Sequence, residues 1–288
     1  MTSGEPRVDS ERERCLREFE SYYGAHFEVL TQYAQPGPGR ESWGELFGAD
    51  ALRRLYDDYC KDSVARLYDN LQKVKPALDG RLETSRPFAI LDITCFATTQ
   101  IFRIAFPGAA VHACDKHLKW AAFLDGVECR ACDLETDRLP YEDAAFDLVV
   151  FTETLEHIPR SPYAILGEIK RVLKPGGVML FSVPNLSSLN NRVRLLVGKN
   201  ILSVERFHAD AFGHFREFNL SEVAYMIRQI GMDMVTAEYT SYAAPRARGS
   251  GLRAVRTLVT GMVNGVMSAA VPSLRPVCLA VARKPRVA

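Results

Sequence analysis

The sequence predicts an α/β protein: seven strand segments in a mostly parallel sheet, preceded by a helical region. Three observations predict it. From Phe88 onward, short apolar runs alternate with helical stretches, the pattern of parallel strands joined by helices. Before Phe88, apolar residues recur at helical spacing instead, as in Leu52-Arg53-Arg54-Leu55-Tyr56 and in Val64, Leu67, Tyr68 and Leu71. And 288 residues, 47% hydrophobic and 25% charged, suffice for one large core, since a chain of this size buries roughly 75% of its unfolded surface.

Residues 1–85 read as a helical cap with a charged, disordered extreme terminus, broken at Pro36-Gly37-Pro38-Gly39. Its aromatic stretch, Phe19, Tyr22, Tyr23, His26 and Phe27, suits core packing better than a pocket wall. Residues 86–288 form the α/β domain. Strands are expected near Phe88–Ile93, Ala110–Cys114, Val127–Ala131, Phe146–Thr152, Val178–Val183, Met232–Tyr239 and Val277–Ala282. The clearest helices are Ala164–Leu173 and Leu220–Ile230, the second introduced by a capping-box arrangement, Asn219-Leu220-Ser221-Glu222. A polar insertion, 185–219, interrupts the alternation and reads as a lid.

Composition excludes several classes. A formal net charge of +1 and no basic surface interleaved with aromatics argue against a nucleic-acid partner. Seven scattered cysteines fit a reducing cytosol. Cys129-Arg130-Ala131-Cys132 is a lone CxxC, without the second pair a zinc site needs. The charged N-terminus lacks the apolar run of a secretory signal, so a cytoplasmic protein is expected. Thr257 to Leu274 carries no charge, but its Asn264, Pro272 and two glycines make a poor membrane span. A helix packed on the fold is the better reading, with peripheral membrane contact through 251–271 as the alternative.

Four pieces in order carry a family resemblance. Asp115 ends the second strand, and Cys132-Asp133-Leu134-Glu135 follows the third. Phe146 to Ile158 forms the fourth strand and its exit, Thr152-Glu153-Thr154-Leu155-Glu156-His157. Arg171-Val172-Leu173-Lys174-Pro175-Gly176-Gly177 leads into the fifth. Together they resemble the class I S-adenosylmethionine-dependent methyltransferases, in the branch that holds small-molecule O-methyltransferases. The resemblance implies a doubly wound, seven-stranded, Rossmann-like sheet and S-adenosylmethionine as cofactor. It places Asp115 on the ribose hydroxyls, Asp133 and Leu134 on the adenine, and Thr152 at the cofactor's edge. Pro175-Gly176-Gly177 reads as a structural turn before the fifth strand.

The first strand-to-helix turn departs from that family. Leu91-Asp92-Ile93-Thr94-Cys95-Phe96-Ala97-Thr98-Thr99-Gln100 holds no glycine, where the family places glycines at about Thr94, Phe96 and Thr98 so that backbone can approach the cofactor. By position it is still the cofactor loop, with Asp92 near the amino group and Thr94 and Phe96 against the cofactor.

If a helix starts at Thr152, then Glu153, Glu156 and His157 share one face at i, i+3 and i+4, at the carboxyl end of the sheet where open α/β folds bind ligands. Two carboxylates and an imidazole can hold Mg or Mn. The ExxEH and the distal His214 resemble the metal site of small-RNA 2′-O-methyltransferases, and the ExxEH also that of ubiquinone-pathway O-methyltransferases. That reading has a metal at Glu153, Glu156, His157 and His214 activating the acceptor hydroxyl. A metal-free base, His157 or His214, and a purely structural role are the alternatives. Arg192, Arg194 and Arg206 of the insertion either engage the acceptor or form a solvated face. The expected function is O-methylation of a small hydroxylated metabolite. A methyltransferase-fold protein that no longer methylates is the alternative, and the glycine-free loop is its ground.

Overall fold

The computed structural model describes residues 7–26, 49–78, 80, 87–202, 213–241, 266–267 and 269–286. Phe27, the Pro36–Gly39 break, Glu205 to His208 and most of the 251–271 helix lie outside them.

Seven strands form one sheet. They are β1 (Ala89–Ile93), β2 (Ala110–Asp115), β3 (Val127–Ala131), β4 (Phe146–Thr152), β5 (Leu173–Pro184), β6 (Asp233–Thr240) and β7 (Val277–Arg283). Their spatial order is β3-β2-β1-β4-β5-β7-β6. The first five run parallel, and β7 lies antiparallel to both neighbours, so the sheet is doubly wound and mostly parallel. The chain order reverses between β1 and β4, which opens the crevice at their carboxyl ends where such folds take ligands. β1 and β4 read as continuous apolar runs because both their faces are covered.

One face carries α1 (Arg7–Ala25), α2 (Ala49–Val74) and α3 (Gln100–Ala105). Phe19, Tyr23, Tyr68 and Leu71 are buried in one cluster with Ile90, Phe102, Val111 and Val281. The N-terminal helices therefore share the sheet's core. The other face carries α4 (Pro162–Val172) and α6 (Leu220–Gln229), with Leu166, Ile169, Val223 and Ile227 buried against Val149, Phe151 and Phe181. The expected capping box forms: the Asn219 side chain accepts from Glu222 N, and Glu222 accepts from Asn219 N. Within the insertion, α5 (Leu189–Leu196) is capped by Ser188, whose side chain accepts from Asn191 N. Among the described residues no helix is long and apolar enough to cross a membrane.

The fifth strand corrects the sequence reading. Pro175-Gly176-Gly177 lies inside β5 rather than before it: Phe146 pairs with Leu173, but Leu148 already pairs with Val178, so the intervening residues bulge. Gly176 takes a left-handed φ of 73°, and a Cβ on Gly177 would sit 2.8 Å from Lys174 O and 3.1 Å from Phe146 O. Both obstacles are backbone. Gly177→Ala is expected to cost about 2 kcal/mol, the usual scale of core overpacking, read from a urea melt. Arg171 explains the rest of the motif. Its guanidinium donates to Tyr141 O, Leu139 O, Asp143 and Glu168, stapling the loop before β4 onto α4.

Candidate active site

The glycine-free loop after β1 is held by hydroxyl contacts around a left-handed backbone. Thr94 adopts φ 84°, a left-handed conformation that a β-branched residue resists. It is held there by Thr94 N donating to Cys114 O at 2.9 Å and by a 3.3 Å contact between the Thr94 and Thr154 hydroxyls. Thr99 Oγ1 donates to Asp92 Oδ2 at 2.7 Å and accepts from Phe96 N at 3.1 Å. Phe96 packs edge-on against Trp120, with ring centroids 4.5 Å apart. Burial pushes the Asp92 carboxyl up to about 7, against the Thr99 hydrogen bond. Thr94→Gly is expected to stabilise the protein by about 1 kcal/mol, because the relieved left-handed strain outweighs the added freedom of the unfolded chain. Thr94→Ala keeps the strain and loses the hydroxyl, so its Tm should fall instead.

Asp115, at the end of β2, accepts from His117 N through Oδ1. Asp133 accepts Glu135 N through Oδ1 and meets Lys116 Nζ at 2.8 Å through Oδ2, and the Lys116 ammonium holds its carboxyl below the ordinary range. That ion pair is largely solvent-exposed on the lysine side and opens at little cost. Leu134 packs on the sheet's second cluster. Thr152 ends β4, its carbonyl taken by the Thr154 hydroxyl.

The helix expected from Thr152 does not form. Glu153 turns left-handed at φ 50°, a single short 3-10 turn spans Leu155–His157, and Ile158 is extended. Pro159 disfavours helical backbone at Ile158 and so stops the turn there, while the left-handed Glu153 and the non-helical Thr154 keep a helix from starting at Thr152. The consequence is a rearranged cluster. Glu153 N donates to Ser182 O, Ser182 Oγ donates to Glu153 Oε1 at 2.8 Å, and Arg66 of α2 stands 3.5 Å from Glu153 Oε2. Glu153 is thus drawn toward β5 and α2, away from the place a shared helix face would give it.

Among the described residues, Glu156, His157 and His214 do come together, with one ligand atom from each within 4.8 Å of the others. Glu156 is 1% exposed, and its Oε2 has no hydrogen-bond partner. Burial, with the Glu153 charge second, pushes its carboxyl up to about 9. His157 Nδ1 lies 3.2 Å from Gly213 O, and His214 Nδ1 lies 3.1 Å from Glu217 Oε1. Each contact favours the proton on Nδ1 and leaves Nε2 with its lone pair. His157 Nε2 is 3.8 Å from Glu156 Oε1, and burial lowers the His157 pKa, keeping the ring neutral. Glu217 is itself bound by Asn191, whose amide also donates to Asn185 O, so the insertion orients His214. One buried carboxylate with an orphaned oxygen and two imidazoles with oriented lone pairs suit a divalent ion, and acceptors on the far ring nitrogens are the usual support of metal-binding histidines. Sequence reasoning missed Arg66, Ser182 and Glu217. Only Glu217, three residues from His214, carried a signal in its spacing.

The doubly wound sheet sets Asp115, Asp133, the loop after β1 and the Glu156–His157–His214 cluster around the carboxyl ends of its parallel strands. Residues 89–181 match the family model described as a methyltransferase domain. It is 27% identical over 226 residues to the 27-O-demethylrifamycin SV methyltransferase of Amycolatopsis mediterranei, covering 73% of this chain and 78% of that protein. It is 30% identical over 101 residues to the ubiquinone biosynthesis O-methyltransferase of Burkholderia pseudomallei, covering 35% of this chain but only 42% of that one. The fold is shared with an S-adenosylmethionine-dependent methyltransferase from Archaeoglobus fulgidus, at a TM-score of 0.52, 14% identity, and coverage of 81% of this chain and 99% of that one.

Proposed function

We propose that the protein methylates a hydroxyl of a small metabolite, with a divalent ion, Mg or Mn, held by Glu156, His157 and His214. The convergence of those three side chains at the carboxyl end of the sheet carries the reading. The O-methyltransferase names of two relatives support the hydroxyl acceptor. S-adenosylmethionine, when bound, supplies an electrophilic methyl group. A divalent ion at the cluster supplies the means to lower the acceptor hydroxyl's pKa.

The chain's own residues do the rest. Asp115 offers an acceptor to the ribose hydroxyls, and Asp133 offers one to the adenine amine once Lys116 swings out, with Leu134 beside it. Asp92, held by Thr99, would accept from the cofactor's amino group, and Phe96, Thr94 and Thr152 would line its site. Glu153 helps hold the neighbouring Glu156 protonated until an ion binds. His157, kept neutral by burial, presents Nε2 as a ligand, or as the base in a metal-free version.

The strained, glycine-free loop favours a second reading, a methyltransferase fold that binds without methylating. Calorimetry with S-adenosylmethionine, followed by methyl transfer to a panel of hydroxyl and thiol acceptors, separates the two. Methylation of a hydroxyl that is lost on exhaustive chelation and restored by Mn²⁺ or Mg²⁺ is the expected result. Undetectable binding at millimolar cofactor sinks methyl transfer, and full activity after chelation removes the ion.

A further inference from the structure

We propose that Cys95 and Cys129 form a reversible disulfide site, closed by a peroxide-class oxidant and reopened by thiol, whose closure weakens cofactor binding on the adjoining loop. The second half rests on the reading of that loop as the cofactor loop.

The pair arises from how the loop leaves the sheet. After β1 the chain crosses β2, with Thr94 N bonded to Cys114 O, so Cys95 is carried toward β3. Cys129 pairs in register with Ala113 of β2, and all three residues pack in the same apolar cluster. Ala113 is small enough to let the sulfurs meet beside it. Their Sγ atoms lie 3.7 Å apart, within the reach of one weak S–H···S contact. A disulfide needs about 2.05 Å, so closure moves sulfur by roughly 1.6 Å. Two other cysteines, Cys114 and Cys132, are buried on the opposite face. Cys129 differs from them and from Cys95 in being partly exposed.

That exposure sets the order of events. The contact from Cys95 also lowers the Cys129 pKa, favouring its thiolate. The Cys129 thiolate attacks one peroxide oxygen, the O–O bond breaks, and hydroxide leaves, giving a sulfenic acid at Cys129. The Cys95 sulfur then attacks the Cys129 sulfur, the S–O bond breaks, and water leaves with the Cys95 proton. Two thiols lose two electrons, and the peroxide is reduced to two waters.

Cys95 lies between Thr94 and Phe96, so drawing it toward β3 pulls on both neighbours. The strained Thr94 backbone, its contact with Thr154 and the Phe96–Trp120 packing cannot all survive that shift.

The test uses the full chain, oxidised with one equivalent of hydrogen peroxide per protein and mapped by peptide mass under thiol trapping. Affinity for S-adenosylhomocysteine, the demethylated product, is measured before and after by calorimetry. A Cys95–Cys129 bridge is expected, with affinity at least 10-fold weaker, recovered by dithiothreitol and unaffected by peroxide in Cys129→Ser. No bridge, or a bridge at Cys114–Cys132 instead, overturns the site. A Cys95–Cys129 bridge with affinity changed less than 2-fold overturns the coupling. Reduced protein that does not bind S-adenosylhomocysteine at millimolar concentration fails the cofactor reading and the coupling with it, while the peptide map still decides the bridge.

Discussion

Glu156→Gln is expected to weaken the proposed divalent-cation binding by about 100-fold, yet to leave the folded protein more stable near neutral pH. The two effects share one cause. In the folded protein burial pushes Glu156 up to about 9, so at pH 7 the side chain carries a proton that the unfolded chain has lost. A raised acid contributes its stability in full below the unfolded pKa and loses it as pH rises through the folded one. The Tm gap between the Glu156→Gln variant and wild type should therefore open above pH 4.5 and widen to about pH 9. Ion binding must displace the same proton. In wild type, Mn²⁺ affinity should rise about 10-fold per pH unit from 6 to 8, with proton release visible as a buffer-dependent calorimetric heat. A Glu156→Gln variant that binds Mn²⁺ as wild type does would show that the ion sits elsewhere.

Asp92→Asn should separate stability from affinity in the same manner at the loop after β1. Burial raises Asp92 from 3.8 to about 7, and its hydrogen bond from Thr99 is one that an amide oxygen accepts equally well. Wild-type stability is expected to fall between pH 4 and 7 by on the order of 3 kcal/mol, the linkage equivalent of such a shift. The Asp92→Asn variant should be flat across that window and the more stable of the two at pH 8, in denaturant melts. S-adenosylmethionine should bind the variant at least 10-fold more weakly at pH 8, where wild-type Asp92 is ionised and attracts the cofactor's ammonium. Equal affinities would remove Asp92 from the cofactor's contacts.

The sheet was readable because its central strands are largely apolar runs bounded by polar turns, while the edge strand β3 alternates half-buried and exposed residues over most of its length. β3 and β4 begin and end where their residues say they should. β5 was not fully readable, since Pro175-Gly176-Gly177 signals a turn, and only the partner strand shows that the turn is a bulge within a longer strand. The site divides along the same line. His157 and His214 lie 57 positions apart, yet the family's order of motifs brought them together in advance. Pro159 was in plain view as a limit on any helix beyond Ile158, but the left-handed turn at Glu153 that keeps the helix from starting carried no such signal. The attachment of Glu153 to Ser182 and Arg66 was hidden because it joins residues from β5 and α2 whose meeting depends on how the helices pack.

The position of β7 has a consequence for how the chain assembles. The strand nearest the carboxyl terminus is inserted between β5 and β6, so β6 touches the sheet only through it. During synthesis, β1 to β5 can pair as they emerge, whereas β6 and the α6 helix that leads into it must wait for a partner that begins only at Val277. Over that interval β5 presents an open edge from Val178 to Pro184, nearly all apolar. A nascent chain stalled there would offer that edge to whatever strand arrives first, until β7 is made and closes it.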